Sequence, residues 1–248
     1  MTKTILITGA SRGIGREAAI LAGKRGWSVG VNFAGNASAA AKTVADVIAV
    51  GGRAIAIQGD VAVEAQVIAM FDAVEGAFGK LDGFVNNAGI VAPGMKLTEM
   101  SAERLKRMFE VNVLGAYLCA REAARRMSKS RGGKGGAIVN ISSAAARMGS
   151  PGEYVDYAGS KGAIDTMTIG LSKELAPEGI RVNAIRPGVI ETEIHASGGE
   201  PGRAARVGVT TPMGRAGKPE EIAEAIVWLL SDEASYVAGA LLDVSGGR

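Results

Sequence analysis

The stretch Thr4-Ile-Leu-Ile-Thr-Gly-Ala-Ser-Arg-Gly-Ile-Gly15 opens with a short apolar, β-branched run that ends in a cluster of glycines. An apolar run of this length without polar alternation reads as a parallel strand covered on both faces. From Gly13 to Arg25 the apolar spacing is helical, and Gly26 is a natural C-terminal stop. Glycines between a strand and a helix permit positive φ and close approach of a phosphate, while the free N–H groups of the helix start bind anions. The spacing of Gly9, Gly13 and Gly15 is G-x-x-x-G-x-G, which differs from the G-x-G-x-x-G dinucleotide fingerprint. Taken alone, three glycines also suit any tight strand-to-helix turn.

Working outward, the same alternation continues to the end of the chain. Strands are predicted at Ser28 to Phe33, Arg53 to Gln58, Gly83 to Asn86, Ala137 to Ile141, Arg181 to Ile185 and Ala240 to Val244. Between them lie an alanine-rich helix from Ala37 to Val50, one from Glu64 to Phe78, and a long helix from Ser101 to about Ser128. A further helix falls within Ser150 to Leu175, and Pro219-Glu220-Glu221 starts a last one through Leu230. Residues 191–214 hold several Gly and Pro with little periodicity, the pattern of a mobile loop or lid. No linker or composition break divides the series. The expected fold is α/β, a single-domain Rossmann-type doubly wound parallel sheet of about seven strands with helices on both faces, spanning residues 1–248.

Composition narrows the function classes. Among the 248 residues, 47% hydrophobic content is ample for a core, and 36 glycines with only 4% aromatics suit close packing of helices on a sheet. The net charge of +3 is spread among 25 acids, so nucleic-acid binding is not indicated. One cysteine, Cys119, excludes an internal disulfide framework; with a single histidine, His195, it argues against a zinc site. The opening residues carry no signal segment, and no apolar run approaches the roughly 18 residues of a spanning helix. A soluble cytoplasmic protein is expected.

Two features point to chemistry. Tyr157 and Lys161 are four residues apart within a predicted helix, which puts a phenol and an ammonium on one face. A nearby cation stabilises phenolate, so the pair is a plausible proton-transfer device; in isolation a surface tyrosine over a lysine stem is the reading that prevails. The second feature is an absence. NAD-selective enzymes place an acid at the end of the second strand for the ribose 2′-OH. Here Asn32 holds that place, and no Asp or Glu occurs between Glu17 and Asp46. Arg12 in the glycine turn is placed to pair with a 2′-phosphate, so NADP(H) is expected over NAD(H).

With these residues in hand, the chain resembles the short-chain dehydrogenase/reductase family in its classical form. The resemblance rests on Thr8-Gly9-Ala10-Ser11-Arg12-Gly13-Ile14-Gly15, Asp60-Val61, Asn86-Asn87-Ala88-Gly89, Asn112-Val113-x-Gly115, Ile141-Ser142-Ser143, Tyr157-x-x-x-Lys161 and Arg186-Pro187-Gly188, in that order. It implies that Gly9, Ser11, Arg12, Gly13, Ile14 and Gly15 hold the cofactor phosphates. Asp60 and Val61 would contact the adenine, Asn87, Ala88 and Gly89 would line the ribose side, and Pro187, Gly188, Ile190 and Thr192 would face the nicotinamide. Catalysis would fall to Asn112, Ser143, Tyr157 and Lys161. Tyr157 would donate the proton, Ser143 would stabilise the oxygen, Lys161 would lower the phenol pKa and bind the nicotinamide ribose, and Asn112 would hold a water linking Lys161 to solvent. Ser142 and Ser143 are adjacent, and the choice of Ser143 follows the family pattern.

The resemblance further implies a homotetramer and a substrate loop around residues 191–214. The expected reaction is carbonyl reduction or alcohol oxidation on a small polar or sugar-like compound. A 3-oxoacyl-[acyl-carrier-protein] reductase is the alternative: the basic residues Arg121, Arg125, Arg126, Lys129, Arg131 and Lys134 suit an acidic carrier protein, and equally suit a solvated helix C-terminus. The glycine-rich stretch from Arg131 to Gly136 departs from that subgroup. A reading of a different class, a catalytically quiet NADP-binding sensor, sits poorly with an intact set of four catalytic residue types.

Overall fold

A computed structural model describes residues 2–248. Strands β1 (Thr4–Ile7), β2 (Ser28–Phe33), β3 (Arg53–Gln58), β4 (Gly83–Asn86), β5 (Gly136–Ile141), β6 (Ile180–Pro187) and β7 (Leu241–Val244) form one sheet in the order β3-β2-β1-β4-β5-β6-β7. Every pairing is parallel. The order reverses between β1 and β4, and in a doubly wound sheet the crevice above that switch point is where ligands bind.

Alternation along each strand divides the core into two layers. Ile5 and Ile7 of β1 and Val139 of β5 face one side, where they meet α1 (Gly13–Lys24) and α10 (Pro219–Leu230) through Ala18, Ala22, Ile222 and Ile226. Leu6, Phe84 and Ile138 face the other, against Val67, Phe71 and Val74 of α3 (Glu64–Phe78) and Cys119 and Ala123 of α5 (Ala116–Met127). Phe71 and Phe84 stack with ring centroids 5.4 Å apart. Both faces are dry, which is why the strands read as unbroken apolar runs. The remaining cover comes from α2 (Ala37–Ala49), α4 (Ala102–Phe109) and α7 (Val155–Leu175). Asn36 caps α2 by accepting from the Ala39 N–H at 3.0 Å.

Two expectations need correction. The predicted helix from Ser101 to Ser128 is not continuous: a π-helical segment, Glu110–Gly115, separates α4 from α5. A π turn takes an additional residue and offsets the faces before and after it, a shift that helical periodicity alone does not register. Residues 191–214 are not a featureless loop, because they carry α8 (Ile194–Ser197) and α9 (Arg203–Gly208). Their order comes from ion pairs: Arg203 reaches Glu153 at 2.7 Å and Glu200 at 3.1 Å, and Arg206 also pairs with Glu200. One further short helix, α6 (Ala145–Met148), follows β5.

Cys119 is fully buried, and burial pushes its thiol up to about 12, so it serves as a small core residue. Among the described residues no helix is long and apolar enough to cross a membrane. Phe84 is fully buried in the layer below the switch point. Phe84→Ala is expected to lower stability by about 3–5 kcal/mol, read as a drop in denaturant midpoint at unchanged m value.

Candidate active site

The C-terminal ends of β1, β2 and β4 and the turn into α1 enclose a long cleft. Gly9 (φ +63°) and Gly13 (φ +55°) take left-handed backbone, and a Cβ on Gly15 would come within 2.6 Å of the Asn87 amide. The cleft is lined by Gly9, Ser11, Arg12, Gly13, Ile14, Asn32, Asp60, Val61, Asn87, Ala88, Gly89 and Thr192, which brings most of the expected cofactor residues to one surface. Gly15 supports the turn from behind. Pro187, Gly188 and Ile190 line an adjoining pocket, which shares Ile14, Asn87, Gly89 and Thr192 with the cleft.

The turn is braced rather than merely permissive. Asn87 donates to the Thr8 carbonyl (2.8 Å) and the Gly9 carbonyl (3.1 Å), and the Thr8 hydroxyl accepts from the Asn87 and Ala88 N–H groups. Asn86 continues the tie across the sheet by donating to Asn140 Oδ1 (3.1 Å), and Asn140 donates to the Thr168 hydroxyl of α7 (2.9 Å). This buried amide chain joins the cofactor turn to the helix that carries Tyr157 and Lys161.

Asn32 lines the cleft with its side chain turned to the backbone. Its side chain is buried, with Oδ1 accepting from the Gly9 N–H (3.1 Å) and Nδ2 donating to the Gly59 carbonyl (3.0 Å). The residue shapes the cleft wall, while Phe33, Ala34, Gly35 and Asn36 front the cleft beyond the strand end. That segment still lacks a carboxylate. Asp60 is paired with Arg107 at 3.2 Å, and Arg107 also lines the cleft. No motif marks Arg107, which enters only because α4 folds over the end of β3.

The chemistry-bearing residues meet in the adjoining pocket. Tyr157 and Lys161 sit near the start of α7, with Lys161 Nζ 5.7 Å from the phenol ring centroid and donating to the Ile141 carbonyl at 2.8 Å. The two serines are separated by what they touch. Ser142 is buried with its hydroxyl donating to the Lys161 carbonyl (3.2 Å), whereas Ser143 lines the pocket beside the Tyr157 phenol and accepts from the Ala145 N–H (3.1 Å). Ser143 therefore faces the pocket with Tyr157.

Asn112, in the π segment, spends its amide on the Ile90 N–H (2.8 Å), the Ile90 carbonyl (2.9 Å) and Ser160 (3.2 Å). Its oxygen and Lys161 Nζ flank Gly89, where a Cβ would stand 3.4 and 3.5 Å from them. The expectation that Lys161 lowers the phenol pKa is not met by this arrangement. Burial pushes Tyr157 above its usual value, offset in part by the Ser143 hydroxyl, and Lys161 is itself pulled down to about 8 by burial, with Asp165 opposing.

The substrate side of the pocket contains residues that no motif marks. Val91, Met148 and Val207 supply apolar wall; Tyr154, His195 and Arg203 supply polar atoms. Arg203 lies over the Tyr154 ring, 4.8 Å from its centroid. His195 donates from Nε2 to the Ile190 carbonyl at 2.8 Å, and burial holds its pKa below the ordinary value, so the ring is neutral at pH 7. Among the described residues no cluster of His, Cys, Asp or Glu could hold a metal ion.

A family model described as enoyl-(acyl carrier protein) reductase matches residues 9–248. The chain belongs to the short-chain dehydrogenase/reductase family. It is 54% identical to an uncharacterized oxidoreductase of Escherichia coli (YgfF), over 98% of each chain. It is 43% identical to an L-rhamnose 1-dehydrogenase (NAD(P)(+)) of Sphingomonas, over 99% of this chain and 95% of the relative. Among solved structures, a short-chain dehydrogenase from Burkholderia cenocepacia in complex with NADP superimposes with a TM-score of 0.89 at 32% identity, covering 99% of this chain and 97% of that one. Like its relatives, this short-chain dehydrogenase/reductase is an oxidoreductase acting on alcohol or carbonyl groups with a nicotinamide cofactor, and the glycine cradle with its braced turn fits that group.

Lys161 carries a measurable signature in stability. Its pKa is depressed on folding, so between pH 8 and 10.5 the unfolded chain holds a proton that the folded chain does not, and folding is favoured by rising pH. Relative to Lys161→Met, which lacks this titration, the parent is expected to gain about 2 kcal/mol of unfolding free energy between pH 7 and pH 10. Denaturant titrations of both proteins across that range measure the gap directly.

Proposed function

We propose that the protein is an NADP(H)-dependent carbonyl reductase/alcohol dehydrogenase in which Ser143, Tyr157 and Lys161 perform the proton chemistry and Asn112 holds them in place. One observation carries this reading: a half-buried phenol beside a serine hydroxyl, with an ammonium one helical turn away, lines a pocket that adjoins the glycine-cradled cleft. Burial keeps Tyr157 protonated at neutral pH, so it is a loaded acid for the oxygen of a ketone. Ser143, oriented by the Ala145 N–H, donates to that same oxygen as charge develops on it. Lys161 places positive charge beside the phenolate that remains and anchors the nicotinamide ribose. The bound cofactor supplies the hydride. Asn112 pins the Gly89–Ile90 backbone against α7 through its bonds to Ile90 and Ser160.

The preference for NADP(H) rests on the end of β2, where Phe33 to Asn36 offer no carboxylate, and on Arg12. Arg16 is held by Glu17 and Asp46, whereas Arg12 faces the cleft with only a long 3.4 Å contact to Ser197. The substrate is a small polar or sugar-like ketone or secondary alcohol, held under residues 191–214 as a lid. The mixed pocket lining and the L-rhamnose dehydrogenase relative support this. A carrier-protein thioester is less well supported, because Arg121, Arg125 and Arg126 pair with Glu64, Glu122, Asp72 and Glu75 of the same chain. A homotetramer in the cytoplasm completes the reading; Phe109, Leu114 and Tyr117 on the π segment and its flanks, with Ile169 on α7, are exposed apolar residues suited to subunit packing.

Tyr157→Phe is expected to cut NADPH-dependent ketone reduction by at least 10²-fold while NADPH affinity changes less than threefold. Parent-level turnover in this variant across a ketone and sugar panel would remove the mechanism, and an inactive parent would favour the sensor reading. For the cofactor, Arg12→Ala is expected to weaken NADPH binding by about tenfold or more and leave NADH binding unchanged. Equal or tighter binding of NADH by the parent in the same fluorescence titration would overturn the preference.

A further inference from the structure

Asp165 lies one helical turn beyond Lys161 on the face of α7 that packs against β5 and β6. It is buried, and its two oxygens are used unequally. Oδ2 accepts from Arg186 Nε (3.0 Å) and Nη2 (2.8 Å), while Oδ1 is buried with no hydrogen-bond partner in the protein. A carboxylate with one oxygen unpaired is costly to bury unless its charge is used by something nearby. The Arg186 guanidinium comes from the end of β6, next to β5, whose Ile141 carbonyl receives the Lys161 ammonium. Beyond Arg186 the charges alternate outward through Asp243 of β7 to Arg147 of α6.

We propose that Asp165, clamped by Arg186, is a positioning residue that keeps Lys161 positively charged inside the core, so that the ammonium is available to the phenol and the nicotinamide ribose at neutral pH. The role rests on the proton-transfer reading given to Lys161 above, but the charge relationship exists independently of it. The other ionisable groups on and around α7 are already committed or distant. Asp156 is paired bidentately with Arg104 of α4, and Tyr157 is neutral. Glu122 of α5 is paired with Arg126 and Arg125, Glu110 of the π segment with Arg107, and Lys173 lies three turns further along the helix. Burial draws the Lys161 pKa down to about 8, and Asp165 is the one group whose charge holds it up. Arg186 fixes the carboxylate through two nitrogens that both bond Oδ2 and leaves Oδ1 without a partner, while Asp165 itself stands one helical turn from Lys161.

The test uses the stability gap against Lys161→Met, whose pH profile reports the titration of Lys161 in the folded protein without any turnover. Three backgrounds are compared, each with and without Lys161→Met: parent, Asp165→Asn and Arg186→Met. Asp165→Asn is expected to move the pH at which the gap begins to close downward by one unit or more. Arg186→Met, which removes the opposing cation and retains the carboxylate, is expected to leave it at or above the parent value. A merely structural ion pair would move both variants in the same direction. A fall of less than one unit in Asp165→Asn, or a fall in Arg186→Met, overturns the proposal. Should Asp165→Asn not fold, the double variant Asp165→Asn/Arg186→Met carries the same test: a fall of one unit or more supports the proposal and a smaller one overturns it. In parallel, the alkaline limb of NADPH affinity against pH, where Lys161 loses its proton, should shift with the stability profile. A stability shift without an affinity shift would sustain the charge relationship and refute the role assigned to Lys161, which separates the two failures.

Discussion

A parallel sheet buried on both faces leaves its polar strand ends at one rim, and the fold depends on how the rim above β1 and β4 is tied together. Asn87 does this with two bonds from one amide, fastening the Thr8 and Gly9 carbonyls while its own N–H is received by the Thr8 hydroxyl. The glycine turn is then held in place, with Gly9 and Gly13 lining the cleft. Without that tie, Gly9 and Gly13 would have the freedom that makes glycine costly to order. The same rim carries Asn86 and Asn140, whose side-chain relay reaches Thr168 on α7. The glycine turn and the helix carrying Tyr157 and Lys161 are thus parts of one hydrogen-bonded framework.

Buried charge is the second organising theme. Lys161, Asp165 and Arg186 stand in a row from the pocket toward β7, and each is charged in a region where desolvation is expensive. A lysine that met this cost alone would shed its proton, whereas one bound to a carbonyl and overlooked by a carboxylate retains it under ordinary conditions. Arg203 and Glu153 repeat the idea at the lid, where an ion pair over the Tyr154 ring gives a segment with little hydrophobic content a fixed place above the pocket.

Most of the fold was legible because its signals are local. Apolar runs bounded by glycine gave all seven strands to within a few residues, and Pro219 with Glu220 and Glu221 marked α10. Tyr157, Lys161 and the glycine turn were legible for the same reason: their spacing is a short-range fact. Less was legible where the outcome depends on what lies across the cleft. Asn32 sits where a ribose contact is expected, but the end of β3 and the turn into α1 claimed its amide first. The phenol pKa went the opposite way from the pairwise expectation because Lys161 turned to Ile141 and burial dominated. Arg107, Arg203 and Met148 reach the cleft or the pocket only through tertiary folding, and nothing in their neighbours announces it.

The π segment at Glu110–Gly115 also fixes how the gene for such a protein can change length. A regular helix tolerates a small insertion at its end by growing, but here one residue beyond the α-helical count is stored in mid-helix, between α4 and α5. Deleting a single codon within it would let the helix relax to regular α geometry, and because the stored residue is the one removed, the residues downstream would keep their faces, whereas the same deletion inside α4 or α5 would turn them by about 100°. Cys119, Ala123 and Met127 would stay in the core, and the loss would fall on Asn112, whose reach to Ile90 is made from within the widened turn. This turn is therefore where the long helix can gain or lose one residue without turning its core face, and what constrains its length is the Asn112 contact rather than the packing of α5.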